Sequence, residues 1–317
     1  MEKVLVSGAT GFVGANLVRR LLKENFNVHI LIRESSDIWR LRDIIHEVND
    51  HKVDLRDFKT LTKTISEIQP DYIIHLAIYG GRLGQKDETE ILESNLVGTI
   101  NLINASTNIN YKCFINTGSS SEYGIKTKAM LESDICEPTH MYGITKASAT
   151  MYCNYRASFD NKNIGTLRLF SPFGEFEDKG RLVPDLIIGA INNKRVLLAN
   201  PESVRDYIFI EDVCDIYLKI LKEPEKLKGQ IFNIGLGKQR SVEYMANIVK
   251  DKISEDVILE YNSLPGRISD TEVWLSDNNK IKNVYNWNLK YTVEKGLEKT
   301  IEWFKDNIEL YNKKEIK

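Results

Sequence analysis

The chain has 317 residues, of which 42% are apolar and 28% charged, a balance typical of a globular protein with one large domain or two modest ones. The formal net charge of −2 gives no field that would favour nucleic acid or an acidic membrane surface, so neither is expected as a partner. The four cysteines lack metal-ligand spacing, so no metal is expected. Without a secretory signal or a membrane-length apolar run, the sequence predicts a cytoplasmic protein.

The first 170 residues alternate strand-like apolar runs with helix-like amphipathic patterns. Strands are predicted at residues 4–7, 28–32, 52–54, 72–76, 112–116 and 164–169, and helices at residues 11–24, 58–69, 88–106 and 141–159. Because strands that alternate with helices form parallel sheets covered on both faces, the sequence predicts an α/β fold with a doubly wound parallel sheet. This first domain is expected to span residues 1–170.

After residue 170 the alternation loosens. The pattern predicts a loop at residues 171–181, helices at residues 183–192, 213–222, 242–252 and 293–306, and strands at residues 205–210 and 231–234. This half has no glycine-rich turn of its own. We therefore expect residues 171–317 to form a smaller, partly interleaved substrate-binding lobe, with some later segments returning to the first domain.

A glycine-rich turn with the spacing G-x-x-G-x-x-G follows the first predicted strand and opens the first predicted helix. In such a turn Gly8 allows the tight bend, Gly11 lets the backbone approach a pyrophosphate, and Gly14 lets the helix pack close to the strand. The alternative is a tight turn without a ligand. The sequence predicts a dinucleotide cofactor, and the residues of this turn expected to contact it are Gly8, Thr10, Gly11, Phe12, Val13 and Gly14.

The end of the second predicted strand bears on which dinucleotide binds. An acidic residue there would bond the adenosine ribose and favour NAD(H), but this chain has Ile32 followed by Arg33. Arg33, with the hydroxyls of Ser35 and Ser36, can hold a 2′-phosphate, which favours NADP(H). Two alternatives leave NAD(H) possible: Glu34 could bond the ribose, and Arg33 could be a solvated loop residue.

Asp54 follows the third predicted strand and is placed to accept a hydrogen bond from the adenine amino group, with its neighbour Leu55 also expected at the cofactor. Alternatively, Asp54 caps the helix that begins near Asp57.

A tyrosine and a lysine lie four residues apart at the start of the helix predicted at residues 141–159, so their side chains share one helix face. A nearby ammonium, Lys146, would lower the pKa of Tyr142 and could also hold ribose hydroxyls of the cofactor. Tyr142 could then donate or accept a proton as a hydride moves. The alternative is a solvated helix pair.

A cluster of hydroxyl residues follows the strand predicted at residues 112–116. Parallel-sheet enzymes place their chemistry at the carboxyl ends of strands, so a serine here could hydrogen-bond the substrate oxygen beside Tyr142. Any single serine of this cluster could instead be a turn residue.

Several motifs occur together and in order: the glycine-rich turn, His75-Leu76-Ala77, Asn95-Leu96-Val97-Gly98-Thr99, Ser119-Ser120-Ser121-Glu122-Tyr123-Gly124, and Tyr142 with Lys146. With them the chain resembles, over essentially its whole length, the extended short-chain dehydrogenase/reductases that act on nucleotide sugars, which are Rossmann-type enzymes. The resemblance implies that Ser119 acts with Tyr142 and Lys146 in catalysis. It also implies that residues 75–77, including Leu76 and Ala77, line the nicotinamide side of the cleft, and that Asn95 braces the active site.

The C-terminal half supports the same resemblance. Arg205, in Arg-Asp-Tyr-Ile-Phe-Ile-Glu-Asp, and Arg267, in Pro-Gly-Arg, resemble the family's two arginines for the phosphates of a nucleotide sugar, and guanidinium groups suit that role. Alternatively, Arg205 forms an internal salt bridge to Asp206 or Asp212, and Arg267 is a surface residue. The resemblance further implies that Ser120 contacts substrate and that the long helices at residues 88–106 and 141–159 form a homodimer. Alternatively, the apolar faces of these helices belong to the core.

The resemblance also narrows the reaction. The family's 4,6-dehydratases follow their catalytic threonine with an Asp-Glu pair, whereas Ser120 and Ser121 follow Ser119 here. The family's 4-epimerases usually have an acid at the end of the second strand, which is missing. We therefore expect an NADP(H)-dependent reductase of a nucleotide-activated 4-keto-6-deoxy sugar, similar to the CDP-abequose and CDP-paratose synthases. The alternatives are an NAD-dependent nucleotide-sugar 4-epimerase or 4-dehydrogenase, and a non-catalytic NADP sensor, against which the intact Ser119, Tyr142 and Lys146 argue.

Overall fold

The computed structural model describes residues 1–81, 84–264 and 272–312. Its strands are β1 (Lys3–Ser7), β2 (Asn27–Ile32), β3 (Asn49–Lys52), β4 (Tyr72–His75), β5 (Cys113–Ser119), β6 (Ile164–Leu169), β7 (Ser171–Phe173), β8 (Val196–Leu197), β9 (Val204–Phe209), β10 (Ile231–Ile234), β11 (Gln239–Ser241) and β12 (Leu259–Glu260). Its α-helices are α1 (Phe12–Lys23), α2 (Phe58–Ile68), α3 (Glu88–Leu92), α4 (Gly98–Ala105), α5 (Met141–Phe159), α6 (Leu182–Ile191), α7 (Ile210–Lys222), α8 (Val242–Ile253), α9 (Asn279–Tyr285), α10 (Val293–Asn307) and α11 (Glu309–Asn312).

Seven strands form one parallel sheet in the order β3-β2-β1-β4-β5-β6-β10. The strand order reverses between β1 and β4, and ligands of doubly wound sheets bind at such a reversal. The predicted α/β fold with a doubly wound parallel sheet is confirmed. Strand β10 joins this sheet from the C-terminal half of the chain, while the division at residue 170 stays a prediction.

The alternation along β1 explains why the sheet is covered on both faces. Val4 and Val6 pack into a core with α1, α6 and α7, whereas Leu5 packs into a second core with α2, α4 and α5. Because successive side chains of a strand point to opposite faces, one apolar run supplies both cores.

Some predicted elements differ from the structure. The third strand is β3, at Asn49–Lys52, and not residues 52–54, because β3 lies at the sheet edge and its polar side chains give no apolar signal. The single helix predicted at residues 88–106 is divided into α3, a π-helical turn at Glu93–Val97, and α4. π-helical turns inside helices are often found at functional sites.

The remaining strands lie outside the main sheet. β7, β9 and β11 form a three-stranded sheet, and β8 pairs with β12. Strand β7 lies at residues 171–173, where the sequence predicted only a loop. Within the part of the chain that the structure describes, no helix combines the length and apolar character needed to span a bilayer.

Candidate active site

The glycine-rich turn connects β1 to α1. It lies at the point where the strand order of the main sheet reverses, between β1 and β4. Gly8 has φ +74°, and a Cβ there would lie 2.4 Å from Ala77 N. A Cβ on Gly14 would lie 2.2 Å from Gly8 O, so the turn, the loop after β4 and α1 pack too closely for side chains at either position.

Gly11 differs from these two glycines. A Cβ on Gly11 would meet only Gly8 O, at 3.3 Å, and Gly11 lines a cleft at the start of α1. The packing of the protein therefore restricts a side chain at position 11 less than at positions 8 and 14. The first turn of α1 has no acidic residue, so its free backbone N–H groups can face an anion. This cradle fits the pyrophosphate of a dinucleotide.

The cleft has a volume of about 1010 Å³ and runs past the carboxyl ends of the parallel strands. It brings together most of the residues predicted at the site: Gly8, Thr10, Gly11, Phe12, Val13, Gly14, Arg33, Ser36, Asp54, Leu55, Leu76, Ala77, Ser119, Ser120, Tyr142 and Arg205. Lys146 is buried one helical turn after Tyr142 on α5. Arg267 falls outside the described residues.

Ser119 ends β5 and caps the short 3-10 helix Ser120–Glu122. Ser121 N donates to Ser119 Oγ over 3.1 Å, and Ser119 N donates to Glu122 Oε1 over 2.8 Å. These two hydrogen bonds fix both the backbone and the hydroxyl of Ser119 beside the cleft, where it also hydrogen-bonds Tyr142.

The pKa of Tyr142 is raised, mainly because burial disfavours the phenolate, while the hydrogen bond with Ser119 and the charge of Arg181 oppose the rise. The expectation that Lys146 would lower this pKa is therefore not met: the groups that act in that direction are Ser119 and Arg181. Burial lowers the pKa of Lys146 itself to about 8, a shift that the carboxylate of Glu122 opposes.

A buried ion pair that the sequence did not predict lies behind Ser119. Arg168 Nε donates to Glu122 Oε2 over 2.8 Å, and Glu122 and Arg168 are 0% and 3% exposed. The guanidinium of Arg168 also lies 4.4 Å from the ring centroid of Tyr123. The one sequence feature that could have indicated this ion pair is an arginine within an otherwise uncharged strand, β6, whose six residues are all buried.

His75 points into the protein, although the resemblance placed it at the cleft with Leu76 and Ala77. The hydroxyl of Thr99 donates to Asn95 O, so it accepts from His75 Nε2 over 2.8 Å, which leaves Nδ1 to accept from the hydroxyl of Ser7 over 2.6 Å. Burial lowers the pKa of His75 to about 3, so the ring is neutral and links β1, β4 and α4.

Asn95, in the π-helical turn, has the bracing position that the resemblance implied. Its side chain accepts from Tyr79 N over 2.8 Å and donates to Tyr79 O over 2.9 Å. It also donates to Thr145 Oγ1 over 3.2 Å, next to Lys146. The loop after β4 is thereby tied to α5.

At the end of the cleft beside β2, Arg33 follows that strand, and Ser36 Oγ accepts from Arg33 N over 2.9 Å. Arg56 donates to Asp54 over 2.7 Å, and this hydrogen bond is the main reason why the pKa of Asp54 is lowered. The alternative that Asp54 caps α2 is wrong, because Asp57 accepts from Thr60 N and is the cap.

At the opposite end, Trp274 Nε1 donates to Ser120 Oγ over 3.1 Å, and the guanidinium of Arg205 lies 5.1 Å from the centroid of the Trp274 ring. The two carboxylates considered as salt-bridge partners of Arg205 have other donors: Asp206 accepts from Leu236 N and Asp212 from Lys290 N. Trp274 and Arg181 are among the cleft-lining residues that sequence reasoning missed, because nothing local marks either of them.

The model of the NAD dependent epimerase/dehydratase family matches residues 4–235. CDP-abequose synthase of Salmonella muenchen is 25% identical, covering 95% of this chain and 97% of the relative, and UDP-glucuronate 4-epimerase of Thermodesulfobacterium geofontis is 26% identical, covering 98% of each. The crystal structure of Thermotoga maritima UDP-glucose 4-epimerase with UDP-glucose has a TM-score of 0.88 at 25% identity, covering 96% of this chain and 99% of that one.

Proposed function

We propose, since this chain belongs to the NAD dependent epimerase/dehydratase family, that it is an NADP(H)-dependent reductase of a nucleotide-activated 4-keto-6-deoxy sugar. That it is an NAD(P)-dependent enzyme of the nucleotide-sugar group follows from the family and the fold. The observation that carries the finer proposal is Arg33, a cation on the cleft wall where an acid would favour NAD(H). A net reductase exchanges its cofactor at every turnover, and NADPH is the reduced cofactor that suits such work.

The residues proposed to hold the dinucleotide follow the cleft from one end to the other. The glycine-rich turn would take the pyrophosphate, Arg33 and Ser36 the 2′-phosphate, and Asp54 and Leu55 the adenine. Leu76 and Ala77 would border the nicotinamide. The bound cofactor supplies the hydride.

The chain's own side chains handle the proton. Ser119 and Tyr142 would hold the carbonyl oxygen at C4 of the sugar, and Tyr142 would donate its proton to that oxygen as it becomes a hydroxyl. The raised pKa of Tyr142 keeps the phenol protonated near neutral pH, and a protonated phenol suits reduction. Lys146 would bind ribose hydroxyls of the cofactor, and Ser119 and Arg181 would stabilise the phenolate left behind.

A 4,6-dehydratase is disfavoured by the side chains next to Ser119. The two following positions are serines, and Ser120 accepts a hydrogen bond from Trp274. Glu122 cannot replace the missing acid, because its carboxylate is buried and held by Ser119 N and Arg168. The phosphates of the sugar nucleotide are proposed to contact Arg205, at the Trp274 end of the cleft, and Arg267, which lies outside the described residues.

A second candidate is an NAD-dependent nucleotide-sugar 4-epimerase or 4-dehydrogenase on the same scaffold. The relatives favour it specifically, since they include several 4-epimerases and the GDP-6-deoxy-D-talose 4-dehydrogenase of Aggregatibacter actinomycetemcomitans, which is 26% identical over 92% of this chain. Such an epimerase would reuse one bound NAD, so the two candidates differ in whether the cofactor leaves.

The experiment that separates them is the release and identification of dinucleotide from the purified protein, followed by titration with NADPH and NADH. We expect exchangeable binding with a preference for NADPH that Arg33→Ala abolishes. Firmly retained NAD(H) would contradict the proposal and favour the epimerase. A preference for NADPH that survives in Arg33→Ala would contradict the role proposed for Arg33.

We also propose a homodimer through α5. Met151, Tyr155 and Phe159 are 63%, 55% and 72% exposed, lie on one face of α5 and form an apolar stripe that a second copy could cover. Tyr155→Glu with Phe159→Glu should convert a dimer into a monomer in light scattering, and a wild-type monomer would contradict the proposal.

The four cysteines form no disulfide, which supports the proposed cytoplasmic location.

A further inference from the structure

A carboxylate from helix α3 lies beside the arginine at the adenosine end of the cleft. Glu90 Oε1 is 3.8 Å from Arg33 Nη1, and the two side chains are 31% and 47% exposed. Glu90 also hydrogen-bonds the side chain of Tyr79, a residue that lines the cleft. Three segments therefore meet here: the loop after β2, the loop after β4, and α3.

We propose that Glu90 sets the preference between NADPH and NADH by competing with the 2′-phosphate of NADPH for Arg33. The inference rests on the proposed role of Arg33 as a 2′-phosphate ligand. The end of β2 lacks the acid that would bind a ribose hydroxyl, and Glu90 supplies a carboxylate to the same place from a different element.

The geometry of the ion pair makes exchange easy. At 3.8 Å between half-exposed groups, the pair between Arg33 and Glu90 is weak. A phosphate is a better partner for a guanidinium, because it offers more charge and two oxygens for paired hydrogen bonds. NADPH would therefore displace Glu90 from Arg33, but the displaced carboxylate would stay close to the phosphate and repel it.

NADH would meet the opposite situation. It has a hydroxyl at the 2′ position, which can donate a hydrogen bond to a carboxylate and carries no charge for Glu90 to repel. Glu90 thus weakens NADPH binding while leaving NADH binding unchanged or slightly stronger. The expected result is an enzyme that prefers NADPH less strongly than Arg33 alone would dictate.

The second arginine at this end of the cleft is held differently. Arg56 donates to Asp54 over 2.7 Å and 3.0 Å, and its contact with Glu93 is longer, at 3.4 Å. Close hydrogen bonds of this kind hold Arg56 on its own loop. Among the described residues, the carboxylate recorded beside Arg33 is that of Glu90 at 3.8 Å, so Arg33 is the arginine that a phosphate can recruit.

Tyr79 helps to keep Glu90 in place. The backbone of Tyr79 is fixed by the two hydrogen bonds to Asn95, and its side chain hydrogen-bonds Glu90. The position of the competing carboxylate is therefore set by the same π-helical turn that braces α5. Glu90 is consequently placed by the fold beside Arg33.

The test is the dissociation constant of NADPH and of NADH, measured by fluorescence titration of wild-type protein, Glu90→Gln, Glu88→Gln and Arg33→Ala. Glu90→Gln should tighten NADPH by roughly two- to fivefold, the size that a half-exposed ion pair supports, and change NADH by less than about twofold. The gain should shrink at high ionic strength. Glu88→Gln removes the same charge from an exposed position of α3 and should leave both constants unchanged.

Each other outcome overturns the inference in a distinguishable way. If Arg33→Ala loses the NADPH preference while Glu90→Gln binds both cofactors as the wild type does, the role of Glu90 is overturned and the cofactor proposal stands. If Glu88→Gln gains as much as Glu90→Gln, net charge explains the effect and the competition is overturned. If Arg33→Ala binds NADPH as tightly as the wild type, both proposals fail.

Discussion

Removing Glu122 should destabilise the protein more than most single substitutions, because it breaks a buried ion pair and leaves a buried cation. Arg168 is 3% exposed, and its Nη1 is buried without a hydrogen-bond acceptor among the described residues. In Glu122→Ala the guanidinium keeps its cost of burial and loses its carboxylate, while Ser119 N loses its acceptor. Breaking a buried pair in this way costs about 3–5 kcal/mol, a large part of the roughly 5–15 kcal/mol that stabilises a typical domain.

The size of this effect can be separated from the loss of packing with a second variant. Glu122→Gln combined with Arg168→Met removes both charges and keeps the volume, so its free energy of unfolding should lie closer to that of the wild type. The assay is urea-induced unfolding followed by circular dichroism, with linear extrapolation for each protein. A loss below about 1 kcal/mol in Glu122→Ala, or a double variant less stable than Glu122→Ala, would refute the reasoning.

Three further predictions concern the turn, the proton donor and the buried imidazole. Gly11→Ala should fold but bind NADPH at least about tenfold more weakly. Gly14→Ala should instead lose stability, because its Cβ would lie 2.2 Å from Gly8 O. Thermal unfolding and NADPH titration distinguish the two variants, and equal behaviour of both would contradict these roles. Tyr142→Phe should abolish turnover with nearly unchanged NADPH binding, and near-normal turnover would remove Tyr142 from the mechanism. The pKa of His75 is lowered to about 3 in the folded protein, so on acidification the unfolded chain binds the proton first. The free energy of unfolding should therefore fall as the pH drops from about 6.5 towards 3. Midpoints of urea unfolding that stay constant over this pH range would contradict the prediction.

Local sequence patterns were sufficient to predict most of the central parallel sheet and its flanking helices. Helix α5 and strands β6 and β10 lie at the residues predicted for them, because apolar periodicity reports burial on regular elements. Strand β3 was placed too late because an exposed, polar edge strand has no such signal. The π-helical turn at Glu93–Val97 was also not predicted; its Asn95 side chain contacts the loop after β4 and α5, which are distant in the sequence.

The candidate site shows the same division between local and long-range information. The glycine-rich turn, Ser119 and Tyr142 lie in short motifs and line the cleft as predicted. The partners that act on them come from distant parts of the chain: Arg168 reaches Glu122 across 46 residues, and Trp274 reaches Ser120 across 154. No spacing rule predicts such pairs, because they depend on which strands become neighbours.

The direction of the pKa shift of Tyr142 could not be predicted from the sequence motif either. Four residues of helix bring Lys146 onto the same face, but the depth at which that face is buried is a property of the whole fold. Burial outweighs the partners that lower the pKa of Tyr142, so the phenol is a weaker acid than the pairing with Lys146 alone suggested.

The most direct test of the proposed reaction is the fate of the hydride. NADPH carrying deuterium at C4 of its nicotinamide should be incubated with CDP-, dTDP-, GDP- and UDP-linked 4-keto-6-deoxy sugars, and the products examined by mass spectrometry and NMR. We expect one of these sugars to consume NADPH and to carry deuterium at its own C4. Interconversion of intact nucleotide sugars at C4 without net use of NADPH, by protein that retains NAD, would contradict the account and identify an epimerase.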